Sequence, residues 1–326
     1  MYGSAIYCLN CAQFNLTKSR FVYNQAIKGG AIFLEYLRYF TNQVVSLDQN
    51  LQDVQIENIT SFESGGFQYF AGNNFNSSNS LLKCRFFNIK SSLNSIQNSL
   101  DFQPTQNKLY GGGIFMFSVK QVDLNIKDSF FENIEALQLG GILLLDSNYF
   151  SQFILQNNSF KNISGRNQGA MIYSQSQNYQ KAVLIDNRID CHPYSNISEE
   201  QNQFMKGEEI LSTSQTGSHI FYFESEQQST LLSQNNTVIN CINQYSEIIG
   251  NLQRQIVSGG VYMLNTNIVM TDINSTYANN SAYFGGIYYS ISNSKFINNI
   301  PNMAGGLIKQ AGEIQTQNII LVQNYS

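Results

Sequence analysis

Charge is scarce in this chain of 326 residues: Asp, Glu, Lys and Arg make up 12%, about half the share usual in soluble domains. The net charge is −4 and no basic patch is visible, which argues against a nucleic-acid partner bound through its phosphates. Long hydrophobic runs are missing as well. No window reaches about 18 apolar residues, so no segment has the length of a membrane-spanning helix. Met1-Tyr2-Gly3-Ser4 has neither the charged n-region nor the apolar h-region of a signal peptide. Histidine occurs twice, as His192 in the turn-like Cys191-His192-Pro193 and as His219 at the entrance of an apolar run. No nucleophile motif or phosphate loop accompanies them. The cysteines are five, sparse and odd in number. Cys8 and Cys11 form a lone Cys-x-x-Cys without a second pair at zinc-ribbon spacing. Cys84, Cys191 and Cys241 lie in strand-like runs and read as small buried side chains. No cofactor or metal site is expected.

In place of charge the chain carries amides. Asn and Gln together exceed a fifth of the residues. Base composition favouring Asn, Ile and Tyr codons is one reading. The other is physical: uncharged amides stack on copies of themselves about 5 Å apart, where like charges would repel. Such a count also matches prion-like segments. The large share of Ile, Leu, Phe and Tyr argues against disorder, because it supplies enough apolar surface to offset chain entropy.

A Gly-Gly pair returns before short apolar runs: Gly29-Gly30, Gly65-Gly66, Gly112-Gly113, Gly140-Gly141, Gly259-Gly260, Gly285-Gly286 and Gly305-Gly306. Weakened copies are Gly3-Ser4-Ala5-Ile6 and Gly169-Ala170-Met171-Ile172. Most neighbours are about 20 to 36 residues apart, the period range of a solenoid. Glycine suits a sharp corner, because it takes φ > 0 without a Cβ clash and lets stacked backbones approach. The residue after the pair is never polar, so that column is expected to face the interior; the next two columns hold Gln68 and Lys309, and parity does not fix which way they face.

The cleanest stretch runs from Gly111 to Tyr173 and divides each unit into three apolar runs. The first unit gives Ile114-Phe115-Met116-Phe117, then Val122 to Ile126, then Ser129 to Ile134. Runs of four to six residues rich in branched and aromatic side chains, without a 3.6-residue stripe, predict strands. Three short strands per period of roughly 28 residues describe a three-sided, single-stranded parallel β-helix of about eleven or twelve coils. The fold class is therefore all-β, with residues 1–326 as a single domain. Both termini fall inside strand-like runs and no capping unit is visible, so the chain is expected to be an excerpt of a longer protein.

Before the glycines stands an aromatic followed two or three residues later by Asn: Phe21…Asn24, Phe86…Asn88, Phe130…Asn133, Phe160…Asn162, Tyr277…Asn280 and Phe296…Asn299. The aromatic is expected to fill a corner and stack on its copies. The Asn is expected to satisfy buried backbone groups and bond to the Asn above and below.

These paired elements resemble the polymorphic outer membrane protein repeat of chlamydial surface proteins, whose hallmark is Gly-Gly-Ala-Ile with Phe-x-x-Asn. Gly29-Gly30-Ala31-Ile32 matches the first element, and Phe21-Val22-Tyr23-Asn24, Phe130-Phe131-Glu132-Asn133 and Phe296-Ile297-Asn298-Asn299 match the second. Similar repeats occur in large Asn/Gln-rich surface proteins of ciliated protists. The resemblance covers about residues 1–175 and 255–326. It implies a right-handed parallel β-helix of the pectin-lyase type, exposed on a cell surface or outside the cell, with signal and anchor beyond this chain.

From about Tyr173 to Gly259 the doublet lapses for about three coils, and an acidic, loop-like insertion is expected at about 195–217. A second long loop is expected from Ser91 to Leu109. Asn-x-Ser/Thr triplets stand at Asn15, Asn58, Asn76, Asn157, Asn162, Asn196, Asn235, Asn274 and Asn279, about six being expected by composition; Asn162 is expected to be too buried for a glycan. The β-helix class implied above includes hydrolases, which need two carboxyl groups facing across a cleft, and polysaccharide lyases, which use clustered Asp for Ca²⁺ plus a basic residue. Asp123, Asp128, Asp186 and Asp190 are the candidates, and no shared motif flanks them. The expectation is a non-catalytic surface scaffold for adhesion, with a cell-surface protein or carbohydrate as partner; a pectin-lyase-like lyase or glycoside hydrolase is the alternative.

Overall fold

The computed structural model describes residues 2–36, 45–91, 113–136, 140–165, 171–191, 219–227, 229–241, 260–265, 268–278, 280–286, 290–292, 295–297, 300–308, 315–317 and 320–322. Among them every regular element is a strand, and no helix is long and apolar enough to cross a membrane. The strand pairs are parallel throughout. Alternation explains the local choice. Along Val122-Asp123-Leu124-Asn125-Ile126 the apolar residues are buried and the polar ones face outward.

Two large sheets dominate. The main path of the first runs through Ile6–Leu9, Ile32–Glu35, Gln68–Leu82, Phe115–Lys127, Leu143–Gln156, Tyr179–Ile185, Ser229–Gln234, Ile268–Ile273, Ser290–Ser292 and Gln315–Gln317. The second runs in the same chain order through Arg20–Val22, Gln55–Ser64, Arg85–Ser91, Phe130–Ala136, Ser159–Gly165, Arg188–Asp190, Thr237–Ile239, Thr276–Ala278, Lys295–Ile297 and Ile320–Val322. A small third sheet pairs Ser281–Gly286 with Ile300–Ile308. Parallel neighbours need a crossover of about a dozen residues or more, and here each sheet's strand lies within the crossover of the other. This all-β, parallel arrangement fits a β-helix or solenoid.

Each main path holds ten strands among the described residues, where the period predicts eleven or twelve coils. The difference lies in the length of each step. Asn158 and Asn187 are stacked neighbours 29 residues apart, but Asn88 and Asn133 are 45 apart, and Asn187 and Asn236 are 49 apart. The lapse after Tyr173, expected to hold about three coils, contains two steps, from Ile172 to Phe221 to Tyr262. The insertion expected at about 195–217 lies outside the described residues, as does the second loop apart from Ser91.

The three expected runs per unit are also distributed differently. The first two fuse into one long strand, Phe115–Lys127, whose register shifts between Val119 and Gln121. In a later unit they separate as Ile172–Ser176 and Tyr179–Ile185, both still in the first sheet.

The core lies between the sheets. Ile32, Gln68, Phe115, Leu143, Ile172, Phe221 and Tyr262 form one buried column of the first sheet. Ile56, Phe86, Phe131, Phe160, Ile189, Val238 and Tyr277 form one of the second. Each Ile, Leu, Val or Phe of these columns contributes roughly 1.5–3 kcal/mol on burial. Phe86 stacks on Phe131 at 4.9 Å and Phe131 on Phe160 at 4.8 Å, which is the strand spacing itself. Gln68, whose facing parity left open, points inward and exchanges hydrogen bonds with Gln49 at 2.9 and 3.2 Å; Lys309 lies outside the described residues.

Candidate functional site

The repeat positions are built at turns. Gly29, Gly65 and Gly140 have φ of 58°, 63° and 58°, a left-handed conformation open to glycine without penalty. The second glycine is required for a different reason. A Cβ on Gly30, Gly66 or Gly113 would strike the carbonyl oxygen of Gly66, Gly113 or Gly141 in the next unit. It would also approach Cγ2 of Ile59, Ile89 or Ile134 to 2.6, 2.7 and 2.9 Å. The doublets lie over one another: Gly30 N–H donates to Gly65 O at 3.1 Å, and Gly113 N–H to Gly140 O at 3.0 Å. Gly112 and Gly259 lie outside the described residues. Gly260 begins a strand opposite His219. Gly285, Gly286, Gly305 and Gly306 fall within the two strands of the third sheet, whose register shifts between Phe284 and Gly286.

The aromatic–Asn element has a tighter spacing than Phe-x-x-Asn. The inward aromatic stands two residues before the Asn, as in Phe86/Asn88, Phe131/Asn133 and Phe160/Asn162. Phe130 is not the column residue; it is half-buried and lies 5.6 Å under the Arg85 guanidinium. Asn58, Asn88, Asn133 and Asn162 are left-handed, with φ of 51° to 54° and 56° at Asn133. Their amides form a chain: Asn88 Nδ2 donates to Asn58 Oδ1 at 3.0 Å, Asn133 to Asn88 at 3.1 Å and Asn162 to Asn133 at 2.7 Å. Asn162 is exposed rather than buried. Asn24 lies outside this column, because Tyr23 takes the left-handed place with φ 56° and Asn24 O accepts from Thr60 N–H. Asn280 is buried instead, accepting from Cys241 N–H at 3.0 Å and donating to Val238 O at 3.0 Å. Asn299 lies outside the described residues.

A second amide ladder escaped the sequence reading. Where the chain passes from first to second sheet, a left-handed residue is followed by an inward one. Asn158, Asn187 and Asn236 hold that inward place and are buried. Ser129 N–H donates to Asn158 Oδ1 at 2.9 Å, Asn158 N–H to Asn187 Oδ1 at 3.1 Å and Asn187 N–H to Asn236 Oδ1 at 2.9 Å. Ser129 and Ser275 continue the ladder at its ends, through Cys84 N–H at 3.0 Å and Asn236 N–H at 3.2 Å. The signal in the sequence is the second residue of Asn157-Asn158, Asp186-Asn187 and Asn235-Asn236, each just before a strand of the second sheet.

The candidate carboxylates stand in three different columns. Asp128 and Asp186 occupy the left-handed turn and accept from Asn157 at 2.7 Å and Asn235 at 3.0 Å. Asp190 faces outward on the second sheet, 2.9 Å from Asn240 Nδ2 and 3.6 Å from Arg188. Asp123 faces outward on the first, where partial burial raises its pKa. Asp272 is fully buried and accepts from Ser275 at 2.6 Å and Tyr277 at 2.9 Å. The nearby Tyr262 hydroxyl donates to Ser233 at 3.2 Å, and burial and the Asp272 charge push its pKa up. His192 lies outside the described residues, and among those described no three His, Cys, Asp or Glu come together as a metal site.

The cysteines correct the expectation of separate buried thiols. Cys191 is bonded to Cys241, with Cα atoms 4.6 Å apart, so the bond joins consecutive strands of the second sheet. Cys8 is bonded to Cys11 across a Cα distance of 6.1 Å. Cys84 alone is free and buried, and desolvation pushes its pKa up to about 11. Comparison of the chain with family models, with curated proteins and with solved structures yields no match.

Proposed function

We propose that the two sheets are faces of a right-handed, three-sided parallel β-helix of the polymorphic outer membrane protein-repeat and pectin-lyase type. On this reading the chain is a non-catalytic scaffold on the cell surface, part of a larger surface protein, whose lateral faces bind a cell-surface protein or carbohydrate. The observation that carries the reading is the same ten-strand chain order in both sheets, with amide ladders along the turns. Such a stack makes length a matter of copy number and offers a long, regular side rather than one cleft. The two disulfides support an oxidising compartment, because structural disulfides are rare where thiols are kept reduced.

A glycoside hydrolase needs two carboxyl groups across one groove, about 5 to 9.5 Å apart. Asp128, Asp186 and Asp190 instead bind the amides of Asn157, Asn235 and Asn240. The location is tested by treating intact cells that make the protein with an external protease. Cleavage of the chain without cell lysis is expected, and full protection would remove the surface reading. Release of unsaturated or reducing sugars from polygalacturonate by the purified chain would replace the scaffold with the enzyme.

A further inference from the structure

The turn from first to second sheet has one form over eight units. Lys18, Asp53, Lys83, Asp128, Asn157, Asp186, Asn235 and Asn274 hold its left-handed place, with φ between 49° and 57°. The residues two places on are Arg20, Gln55, Arg85, Phe130, Ser159, Arg188, Thr237 and Thr276. Wherever asparagine stands first, Ser or Thr stands third; wherever lysine or aspartate stands first, neither does. The result is three acceptor triplets on one edge: Asn157-Asn158-Ser159, Asn235-Asn236-Thr237 and Asn274-Ser275-Thr276.

Folding does not require the association. The left-handed place also holds aspartate and lysine, and the hydroxyls of Ser159, Thr237 and Thr276 form no hydrogen bond among the described residues. The other left-handed column is an internal contrast. Asn58, Asn88, Asn133 and Asn162 are followed two places on by Thr60, Lys90, Glu135 and Ser164. In these four units the asparagine stands whatever follows, and its amide bonds to its neighbours; Tyr23 holds the place one unit earlier.

We propose that Asn157, Asn235 and Asn274 are acceptors of N-linked oligosaccharide, carried as a row along this edge; the proposal rests on the extracellular reading above. All three are exposed. Asn235 and Asn274 lie in consecutive units, about 4.8 Å apart along the stack. In the transfer, Nδ2 attacks the anomeric carbon of a sugar carried on a polyprenyl diphosphate. The C–N bond forms as the anomeric C–O bond breaks, the diphosphate leaves with the electron pair, and the amide gives up one proton. The substituted nitrogen keeps its second hydrogen, so Asn157 still donates to Asp128 and Asn235 to Asp186. Sequons of this kind mark surface positions of secreted proteins.

The test is site-mapped occupancy of the whole chain, routed through a eukaryotic secretory pathway by an appended leader. Peptides are read by mass spectrometry after enzymatic deglycosylation in heavy-oxygen water. Label at Asn157, Asn235 and Asn274 is expected. Ser159→Ala, Thr237→Ala and Thr276→Ala are each expected to lose one glycan mass, with no change in unfolding temperature when the same variants are made unglycosylated in bacteria. Chain recovered from that pathway with Cys191–Cys241 closed and all three asparagines unmodified overturns the proposal. A lowered unfolding temperature in the unglycosylated alanine variants also overturns it, because the hydroxyls then serve folding. The extracellular reading fails separately, by protection of the natural protein on intact cells.

Discussion

Asn187 Oδ1 accepts from Asn158, its neighbour on the side away from Asn236, twice over: from the backbone N–H at 3.1 Å and from the side-chain Nδ2 at 3.1 Å. Asn187 in turn donates through Nδ2 to Leu155 O at 2.9 Å and to Asn236 Oδ1 at 3.1 Å. One buried side chain thus closes two backbone groups of the preceding turn, Asn158 N–H and Leu155 C=O, and ties them to Asn236 of the following one. Asn187→Ala removes all of these and leaves the Asn158 N–H and the Leu155 carbonyl without these partners. Each orphaned buried group costs about 1–3 kcal/mol, against about 0.5–1.5 for a bond that water can replace. Asn187→Ala is therefore expected to lower the denaturation midpoint clearly more than Asn133→Ala in the outward ladder. Hydrogen exchange should speed up at the Asn158 amide in the first variant and leave it unchanged in the second.

The glycine corner is less forgiving than an ordinary left-handed turn. At Asn58 or Asn133 a side chain is accommodated with φ of 54° or 56°. At Gly65, with φ of 63°, a Cβ would meet the Gln68 carbonyl oxygen, and would lie 3.2 Å from Tyr69 Cα. Gly65→Asn is therefore expected to be as damaging as Gly65→Ala, although Asn is the residue that best tolerates this backbone elsewhere. Gly66→Ala, with φ not at issue, should be at least as severe, because its Cβ strikes the Gly113 carbonyl and lies 2.7 Å from Ile89 Cγ2. Soluble yield and thermal unfolding of the three variants check this; recovery of stability in Gly65→Asn would argue against the clash.

The sequence showed the corner because glycine there has two separate causes, seen together at Gly29-Gly30 and Gly65-Gly66. It showed the outward ladder because Asn recurs beside an aromatic, but it misassigned the register of Phe130, whose neighbour Phe131 is the one in the core. The inward ladder was harder to see: its column passes through Val54, Cys84, Ser129 and Ser275 as well as Asn158, Asn187 and Asn236, so no single letter marks it. Pairing of Cys191 with Cys241 was hidden by 50 residues of separation, which only the strand register between Arg188–Asp190 and Thr237–Ile239 brings together. The described residues hold ten strands on each main path, against eleven or twelve coils expected, and step length varies from unit to unit.

Gln49 and Gln68 meet in the interior, and their reciprocal hydrogen bonds invite a double-mutant cycle. Either Gln→Leu change alone strands the other amide in an apolar core, a loss of about 1–3 kcal/mol. The double change to Leu removes both polar groups while keeping similar volume, and is expected to be close to neutral. Midpoints of chemical denaturation for the four proteins give the coupling. Equal and additive losses would show that the pair does not act as a unit.

The sulfur chemistry separates into two tests. Reducing Cys191–Cys241 opens a loop of 50 residues, which in the chain-entropy account removes about 4 kcal/mol. Protection of the strands Arg188–Asp190 and Thr237–Ile239 is expected to fall first, read by hydrogen exchange with and without a dithiol reductant. Cys84 behaves in the opposite way. Its thiol is raised by burial from 9.0 to about 11, so the folded state favours the protonated form. The unfolded chain ionises first as pH rises, so the contribution of this group to stability is complete below about pH 9 and is lost between there and about pH 11. Alkylation of the non-reduced native protein is expected to leave Cys84 unlabelled at neutral pH and to label it only on unfolding or near its raised pKa. Rapid labelling of native Cys84 at pH 7 would place that side chain outside the core.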